Sequence, residues 1–168
     1  MALWGITDAD EAKPKWLTTA QKKEVFANNS GWVVEAGSTQ TGNDNTDAQP
    51  EVLCCVGDLA TGIGAADITE IEFITTAFDK SDGGNIDVRV RFNEQVTVDT
   101  SGGTPTLTIT NDTPARNLTA TYLSGSTKNE LIFRKTIAAA NAATNAGDVL
   151  SICLLYTSDA ADDSWRVG

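Results

Sequence analysis

The segment Ile86-Asp87-Val88-Arg89-Val90-Arg91-Phe92 decides the fold class of this chain. Its apolar residues occupy every second position, and charged residues lie between them. Successive side chains of an extended strand point to opposite faces, so a period of two predicts a β-strand with one face in the core and one in water. Val96 and Val98 continue the same parity.

The rest of the C-terminal half repeats this pattern from Ile68 onward, with further strands predicted over 106–110, 120–123, 131–137 and 148–152. Turn-forming residues separate the strands, as in Ser124-Gly125-Ser126. The alanine-rich stretch 138–145 predicts a helical turn that crosses from one sheet to the other. Short alternating strands at this spacing predict a mainly β sandwich or barrel.

The N-terminal third begins with a helix signal. Thr18-Thr19-Ala20-Gln21 has the pattern of a capping box, and we expect it to open a short helix that continues through Phe26. Asn28-Asn29-Ser30-Gly31 is expected to end this helix, because Asn and Gly tolerate the left-handed conformation at a helix C-terminus. Trp32-Val33-Val34 then follows as a strand.

Residues 36–67 are predicted to be mostly loop, since Gly37 to Gln49 is almost wholly small and polar. The apolar run Val52-Leu53-Cys54-Cys55-Val56 predicts one buried strand within this region. A glycine-rich link is expected over 57–64.

Several segments of the C-terminal half stand in a characteristic order: 88–98, 103–109, 120–126, 129–134 and Ala146-Gly147-Asp148. Together they resemble the immunoglobulin-like repeats of large bacterial surface proteins and of tailed-phage structural proteins. The resemblance covers 68–152, about half of the chain, and implies an immunoglobulin-like antiparallel β-sandwich. Such repeats continue beyond the position of Ile152 with a loop and a final strand, so the last strand is expected to be missing here.

The end of the chain has a different character. Cys153-Leu154-Leu155-Tyr156-Thr157-Ser158-Asp159-Ala160-Ala161-Asp162 resembles the translation of a transposase-type sequencing adapter. We therefore expect three regions: an N-terminal docking extension with a short helix (1–67), the sandwich (68–152) and a non-native tail (153–168).

Composition limits the classes of function. With 12 basic and 23 acidic residues the formal net charge is -11, which argues against a nucleic-acid surface. The absence of histidine removes the commonest general base and makes a Ser-His-Asp triad impossible. No apolar stretch approaches the length that spans a bilayer, and the opening Met1 to Asp8 lacks the pattern of a signal peptide. We expect a non-enzymatic protein without a membrane partner.

Two oxygen-rich stretches are candidate calcium sites. The first contains Asp44 and Asp47, and the second contains Asp79, Asp82 and Asp87. The first lacks the glycine and the distal glutamate of a calcium loop, and ordinary solvated turns are the alternative for both. No other cofactor is expected.

Two further pairs could carry chemistry. Glu70 and Glu72 are a candidate carboxylate pair for glycoside hydrolysis, and the wet face of a strand is the alternative. Cys54 and Cys55 could be redox-active or bind a metal. Adjacent strand residues point to opposite faces, so we expect the cysteines to be buried apolar side chains instead.

Trp4, Trp16 and Trp32 are the candidate interface residues, because large aromatic side chains dominate the energetics of interfaces. The alternative is that they close a small local core over the helix.

The opening Met1-Ala2-Leu3-Trp4-Gly5, with Thr7-Asp8-Ala9 and Lys13-Pro14-Lys15-Trp16-Leu17, resembles the start of virion structural proteins from T4-like marine phages. This resemblance implies a virion structural or decoration protein whose partners are other virion proteins, copies of itself or host surface glycans. The alternatives are an immunoglobulin-like repeat of a bacterial surface adhesin, located at the cell surface, and a carbohydrate-binding module.

Overall fold

A computed structural model describes residues 13–113, 116–139, 145 and 147–152. Over these residues the protein is mainly β, as the sequence predicts. The finer prediction of an immunoglobulin-like sandwich is compatible with this architecture and stays a prediction. Most of the predicted alanine-rich turn, residues 140–144, and the adapter-like tail 153–168 lie outside the described residues.

The described part of the chain contains two short helices, α1 (Thr19–Lys23) and α2 (Leu59–Gly62). None of its helices is long and apolar enough to span a membrane. Its strands are β1 (Val25–Asn28), β2 (Gly31–Val34), β3 (Glu51–Cys55), β4 (Ile68–Phe73), β5 (Gly84–Val96), β6 (Thr106–Asn111), β7 (Leu118–Ser124), β8 (Lys128–Ile137) and β9 (Leu150–Ser151).

The chain divides into two compact units. Unit 1 contains the described residues up to Thr69 together with Phe92–Val96, and unit 2 contains Glu70–Arg91 together with the described residues from Thr97 onward. Strand β5 therefore contributes its first part to unit 2 and its last residues to unit 1.

Helix α1 of unit 1 begins as the sequence predicts. The Thr18 Oγ1 accepts a hydrogen bond from the Gln21 N–H at 3.2 Å, and the Gln21 Oε1 accepts one from the Thr18 N–H at 2.9 Å. The predicted end is wrong, because the helix stops at Lys23 and Val25 and Phe26 belong to β1. A helix of barely more than one turn has little stability of its own, so the burial of a β-branched and an aromatic side chain in the sheet prevails.

The predicted helix terminator is the turn of a β-hairpin. Strand β1 pairs antiparallel with β2, with Val25 opposite Val34 and Asn28 opposite Gly31. Gly31 has φ +130°, and a Cβ there would lie 2.0 Å from the Cys54 carbonyl oxygen. The position therefore requires glycine, since both the backbone conformation and the closeness of β3 exclude a side chain.

The core of unit 1 lies on one face of this hairpin. Its buried residues are Leu17, Val25, Ala27, Trp32, Val34, Leu59 and Ile63. Leu59 and Ile63 come from α2 and its C-cap, where the sequence predicts only a glycine-rich link. That prediction is wrong because two apolar residues four positions apart suffice to seat one helical turn on a core, and they are too few to give a periodic signal.

Strand β3 is also placed differently from its prediction. It pairs antiparallel with β2 through a bulge between Trp32 and Val33, and no strand of the described residues pairs with its other side. Glu51, Val52 and Cys55 are exposed. The predicted strand exists, but it is a sheet edge and not a buried strand.

In unit 2 the strands follow the order β5, β8, β7, β6, β9, with β4 also paired to β5. The alternation that predicts β5 is confirmed, because Ile86, Val88 and Val90 are buried. Strand β6 pairs antiparallel with β7, and β7 with β8. Further buried residues from β6, β7 and β8 complete this core: Ile109, Leu118, Ala120, Leu131, Phe133 and Ile137.

Candidate functional site

The charged residues of β5 form ion pairs with the neighbouring strands of unit 2. The Arg91 Nη1 lies 3.2 Å from the Glu70 Oε2 of β4, and its Nε contacts the Glu130 Oε1 of β8. Only 10% of the Arg91 side chain is exposed. The sequence predicts a wet strand face at this position, and for Arg91 this is wrong, because the arginine is buried between two carboxylates.

Arg89 repeats this arrangement nearer the surface. Its Nε donates to the Glu72 Oε1 at 2.8 Å, and its Nη1 lies 3.4 Å from the Glu130 Oε1. Arg89 and Arg91 thus share Glu130, which joins β4, β5 and β8 through one network. We call Glu70, Glu72, Arg89, Arg91 and Glu130 the ion-pair network.

The ion-pair network engages the candidate carboxylate pair. Glycoside hydrolysis needs two carboxyl groups that face the two sides of a glycosidic bond. Here an oxygen of Glu70 and an oxygen of Glu72 each bind a guanidinium of the same sheet. The arrangement favours a structural role for both glutamates, in which they hold neighbouring strands in register.

Asp87, a calcium candidate, is part of a separate bidentate pair. The Arg134 Nε donates to its Oδ1 at 2.7 Å, and the Arg134 Nη2 donates to its Oδ2 at 2.6 Å. The hydrogen bond from Arg134 holds the pKa of Asp87 below its ordinary value of 3.8, against the opposing effect of burial. Both carboxylate oxygens are therefore occupied by an arginine that links β5 to β8.

This pair predicts a pH-dependent loss of stability for the Asp87→Asn variant. A carboxylate whose pKa is lowered by folding stabilises the protein above the unfolded pKa, and the effect is lost as the pH falls through the folded pKa. We expect Asp87→Asn to lower the free energy of unfolding at pH 7 and the difference to shrink below about pH 4. Denaturant titrations across this range measure it, with the exposed Asp82→Asn as the control. A difference that stays constant with pH would contradict the assignment.

The other calcium candidates are not brought together with Asp87. Asp44 and Asp47 are exposed on unit 1, and Asp82 is exposed on unit 2. The Asp79 Oδ1 accepts a hydrogen bond from the Ser81 N–H at 2.7 Å, which forms a local turn. Within the described ranges no group of three or more His, Cys, Asp or Glu side chains is placed to hold a metal ion.

An open cleft of about 700 Å³ lies beside Asp79 in unit 2. Its lining includes Phe78, Lys80, Asn145 and Asp148. The Lys80 Nζ lies 3.3 Å from the Asn145 Oδ1, so polar side chains already contact one another across the cleft.

Asp148 fastens the last described segment to β6, and the sequence analysis gave it no such role. Its carboxylate accepts from the Asn111 Nδ2 at 2.9 Å, the Asn145 N–H at 2.8 Å and the Arg116 Nη2 at 2.9 Å. The hydrogen bond from Asn111 is the largest cause that lowers the pKa of Asp148. No local signal could have identified this anchor, because Asn111 and Arg116 are 37 and 32 residues away in sequence.

The three candidate interface tryptophans have different positions. Trp4 lies outside the described residues. Trp16 is 58% exposed, whereas Trp32 is completely buried in the core of unit 1. For Trp32 the interface hypothesis is therefore wrong and the alternative of a local core is correct, because the β1–β2 hairpin, Leu17 and α2 cover it.

The cysteines also differ from the expectation. Cys54 is half-buried against the unit 1 core, but Cys55 is exposed, and neither forms a disulfide. The expectation of burial fails for Cys55 because β3 is a sheet edge and presents one of its faces to solvent.

The aromatic residues of β7 and β8 are used for packing. Tyr122 and Phe133 form an edge-to-face pair with ring centroids 6.1 Å apart, and the Tyr122 hydroxyl accepts a hydrogen bond from the Ser126 N–H at 2.8 Å. A sugar-binding platform needs an aromatic face that is open to the ligand, and this arrangement commits Tyr122 to the fold.

No protein-family model, curated protein or solved structure matches this chain.

Proposed function

We propose that this chain is a non-catalytic structural or decoration protein of a tailed-phage virion, which acts through subunit packing and the display of an immunoglobulin-like domain. The observation that carries the proposal is the ion-pair network of unit 2. The carboxylates that could act chemically bind arginines of the same sheet. A sheet fastened in this way is suited to mechanical support.

The exposed Trp16 supports a docking role for the N-terminal region. An exposed tryptophan is uncommon on a surface that has no partner, because burying its large ring contributes strongly to binding. The opening of the chain, which resembles that of virion proteins from T4-like marine phages, is consistent with the same role. Its partners are then other virion proteins or copies of itself.

The proposal predicts that the protein is a component of phage particles. Phage particles purified on a density gradient should yield peptides of this chain by mass spectrometry, at a copy number that is constant relative to the major capsid protein. Host membranes and culture supernatant, processed in parallel, are the control fractions. Peptides found in the bacterial surface fraction and not in the particles would overturn the proposal in favour of an adhesin repeat.

A further inference from the structure

Trp16 lies in a turn that is fixed at both of its ends. Pro14 and Leu17 are buried, and the Leu17 N–H donates to the Pro14 carbonyl oxygen at 3.2 Å. The indole between them leaves 58% of the residue exposed. A side chain held on an ordered backbone loses little conformational freedom when it binds, which suits an interface anchor.

Lysines surround this turn. Lys13, Lys15, Lys22 and Lys23 all fall within 13–23, a stretch without an acidic residue. The Lys13 Nζ donates to the Lys22 carbonyl oxygen at 2.7 Å, so the start of the turn lies against the end of α1. We call Lys15, Trp16, Lys22 and Lys23 the basic patch.

The helix dipole accounts for only part of the basic patch. Lys22 and Lys23 occupy the last turn of α1, where positive charge is favoured by the carbonyl end of the helix. Neither Lys15 nor the exposed indole is explained in this way. The acidic residues that precede the patch, Asp8, Asp10 and Glu11, lie outside the described residues.

The sequence that follows the basic patch has the opposite charge. Residues 24–79 contain ten aspartates and glutamates and no lysine or arginine. Asp44 and Asp47 lie in an exposed loop whose turns are made by its own asparagines. The Asn43 Oδ1 accepts from the Asn45 N–H at 3.1 Å, and the Asn45 Oδ1 accepts from the Asp47 N–H at 3.0 Å. The loop is thus ordered by its amides while its carboxylates stay exposed.

An apolar residue accompanies these acids. Val52 is 51% exposed and follows the exposed Glu51 at the start of the edge strand β3. We call Asp44, Asp47, Glu51 and Val52 the acidic patch. It matches the basic patch in kind, since one consists of an indole among lysines and the other of an apolar side chain among carboxylates. Within the described part of the chain, no ion pair involves these three carboxylates.

We infer that the basic patch of one copy binds the acidic patch of a second copy of this chain. The inference rests on the proposed function, because a virion surface repeats its subunits and brings complementary patches together many times. Two copies related by a two-fold axis make this contact twice. Copies joined head to tail make it once each and leave a patch available for the next copy, which gives rings or filaments.

Sedimentation of the full chain at increasing concentration tests the inference. We expect self-association that weakens between about 0.1 M and about 1 M salt, as the Debye length falls from about 10 Å to about 3 Å. The K15E/K23E and D44K/D47K variants should each associate about tenfold more weakly or worse, because attraction becomes repulsion. Trp16→Ala should weaken association about thirtyfold if the indole is an anchor.

A mixture of the two charge-reversed variants separates this contact from general charge effects. K15E/K23E retains the acidic patch and D44K/D47K retains the basic patch, so the mixture should recover nearly the original affinity. K128E/K135E changes the net charge of the chain as much as K15E/K23E does, but on β8, and should associate like the unaltered chain.

Three results would overturn the inference. They are a chain that stays monomeric at low salt, an equal loss in the K128E/K135E control, and a mixture that fails to associate. Binding of the basic patch to duplex DNA, lost in K15E/K23E and without self-association, would assign the patch to a different partner. The virion proposal is decided separately by the composition of the particles, so failure of self-association leaves it standing.

Discussion

Trp32→Ala is expected to lower the free energy of unfolding by about 3–5 kcal/mol, the usual effect of removing a large buried aromatic side chain. Trp32 is fully buried and packs among the apolar residues of β1, β2 and α2. The small core of unit 1 has few other large side chains, so the cavity cannot be filled by a neighbour without moving the hairpin. We expect this variant to lose the native fold of unit 1 at moderate denaturant.

Trp32→Phe distinguishes packing from hydrogen bonding at the same position. The Trp32 Nε1 is buried without a hydrogen-bond partner among the described residues. A buried, unsatisfied N–H destabilises a protein by about 1–3 kcal/mol, and phenylalanine removes this group while keeping much of the ring. The loss should therefore be clearly smaller than for Trp32→Ala.

Denaturant unfolding followed by far-UV circular dichroism measures both variants. Trp16→Ala is the matched control, because it removes the same side chain from an exposed turn and should change the free energy of unfolding by about 0.5 kcal/mol or less. Equal losses for Trp16→Ala and Trp32→Ala would show that the two tryptophans do not differ in burial as the structure places them.

The contrast between the two tryptophans shows what local sequence can establish. The alternation through Ile86, Val88 and Val90 predicts β5, because the period of a strand is written in adjacent residues. The capping box at Thr18 and Gln21 is equally local, since both partners lie within one helical turn. Features of this kind can be inferred from one chain without knowledge of its tertiary structure.

Long-range packing accounts for the predictions that fail. Val25 and Phe26 continue a helix signal in sequence, but they become a strand because β2 offers them partners. Whether Trp32 or Trp16 is buried depends on α2 and the hairpin, which no neighbouring residue specifies. The partner of Asp87 is Arg134, 47 residues later, so the oxygen-rich pattern that suggests calcium could not reveal an ion pair.

The ion-pair network makes the second prediction with a large effect. Arg91→Ala removes a guanidinium of which only 10% is exposed and leaves Glu70 and Glu130, which are 21% and 22% exposed, without it. Breaking a fully buried ion pair destabilises a protein by about 3–5 kcal/mol, because a charge is left without a partner in a poorly solvated place. Partial exposure of both glutamates reduces this, and we expect a loss of about 2 kcal/mol.

Arg89→Ala is the control on the same strand and in the same network. Arg89 is 28% exposed and its partner Glu72 is 37% exposed, so water compensates for most of the lost pairing. We expect a loss of about 0.5–1 kcal/mol, clearly below that of Arg91→Ala. Unfolding titrations of both variants give this order, and a double-mutant cycle between Arg91→Ala and Glu130→Ala isolates the coupling, since each side chain retains another partner when the other is removed. If Arg91→Ala were as mild as Arg89→Ala, the network would not fasten β4, β5 and β8, and the structural role assigned to its carboxylates would lose its main support.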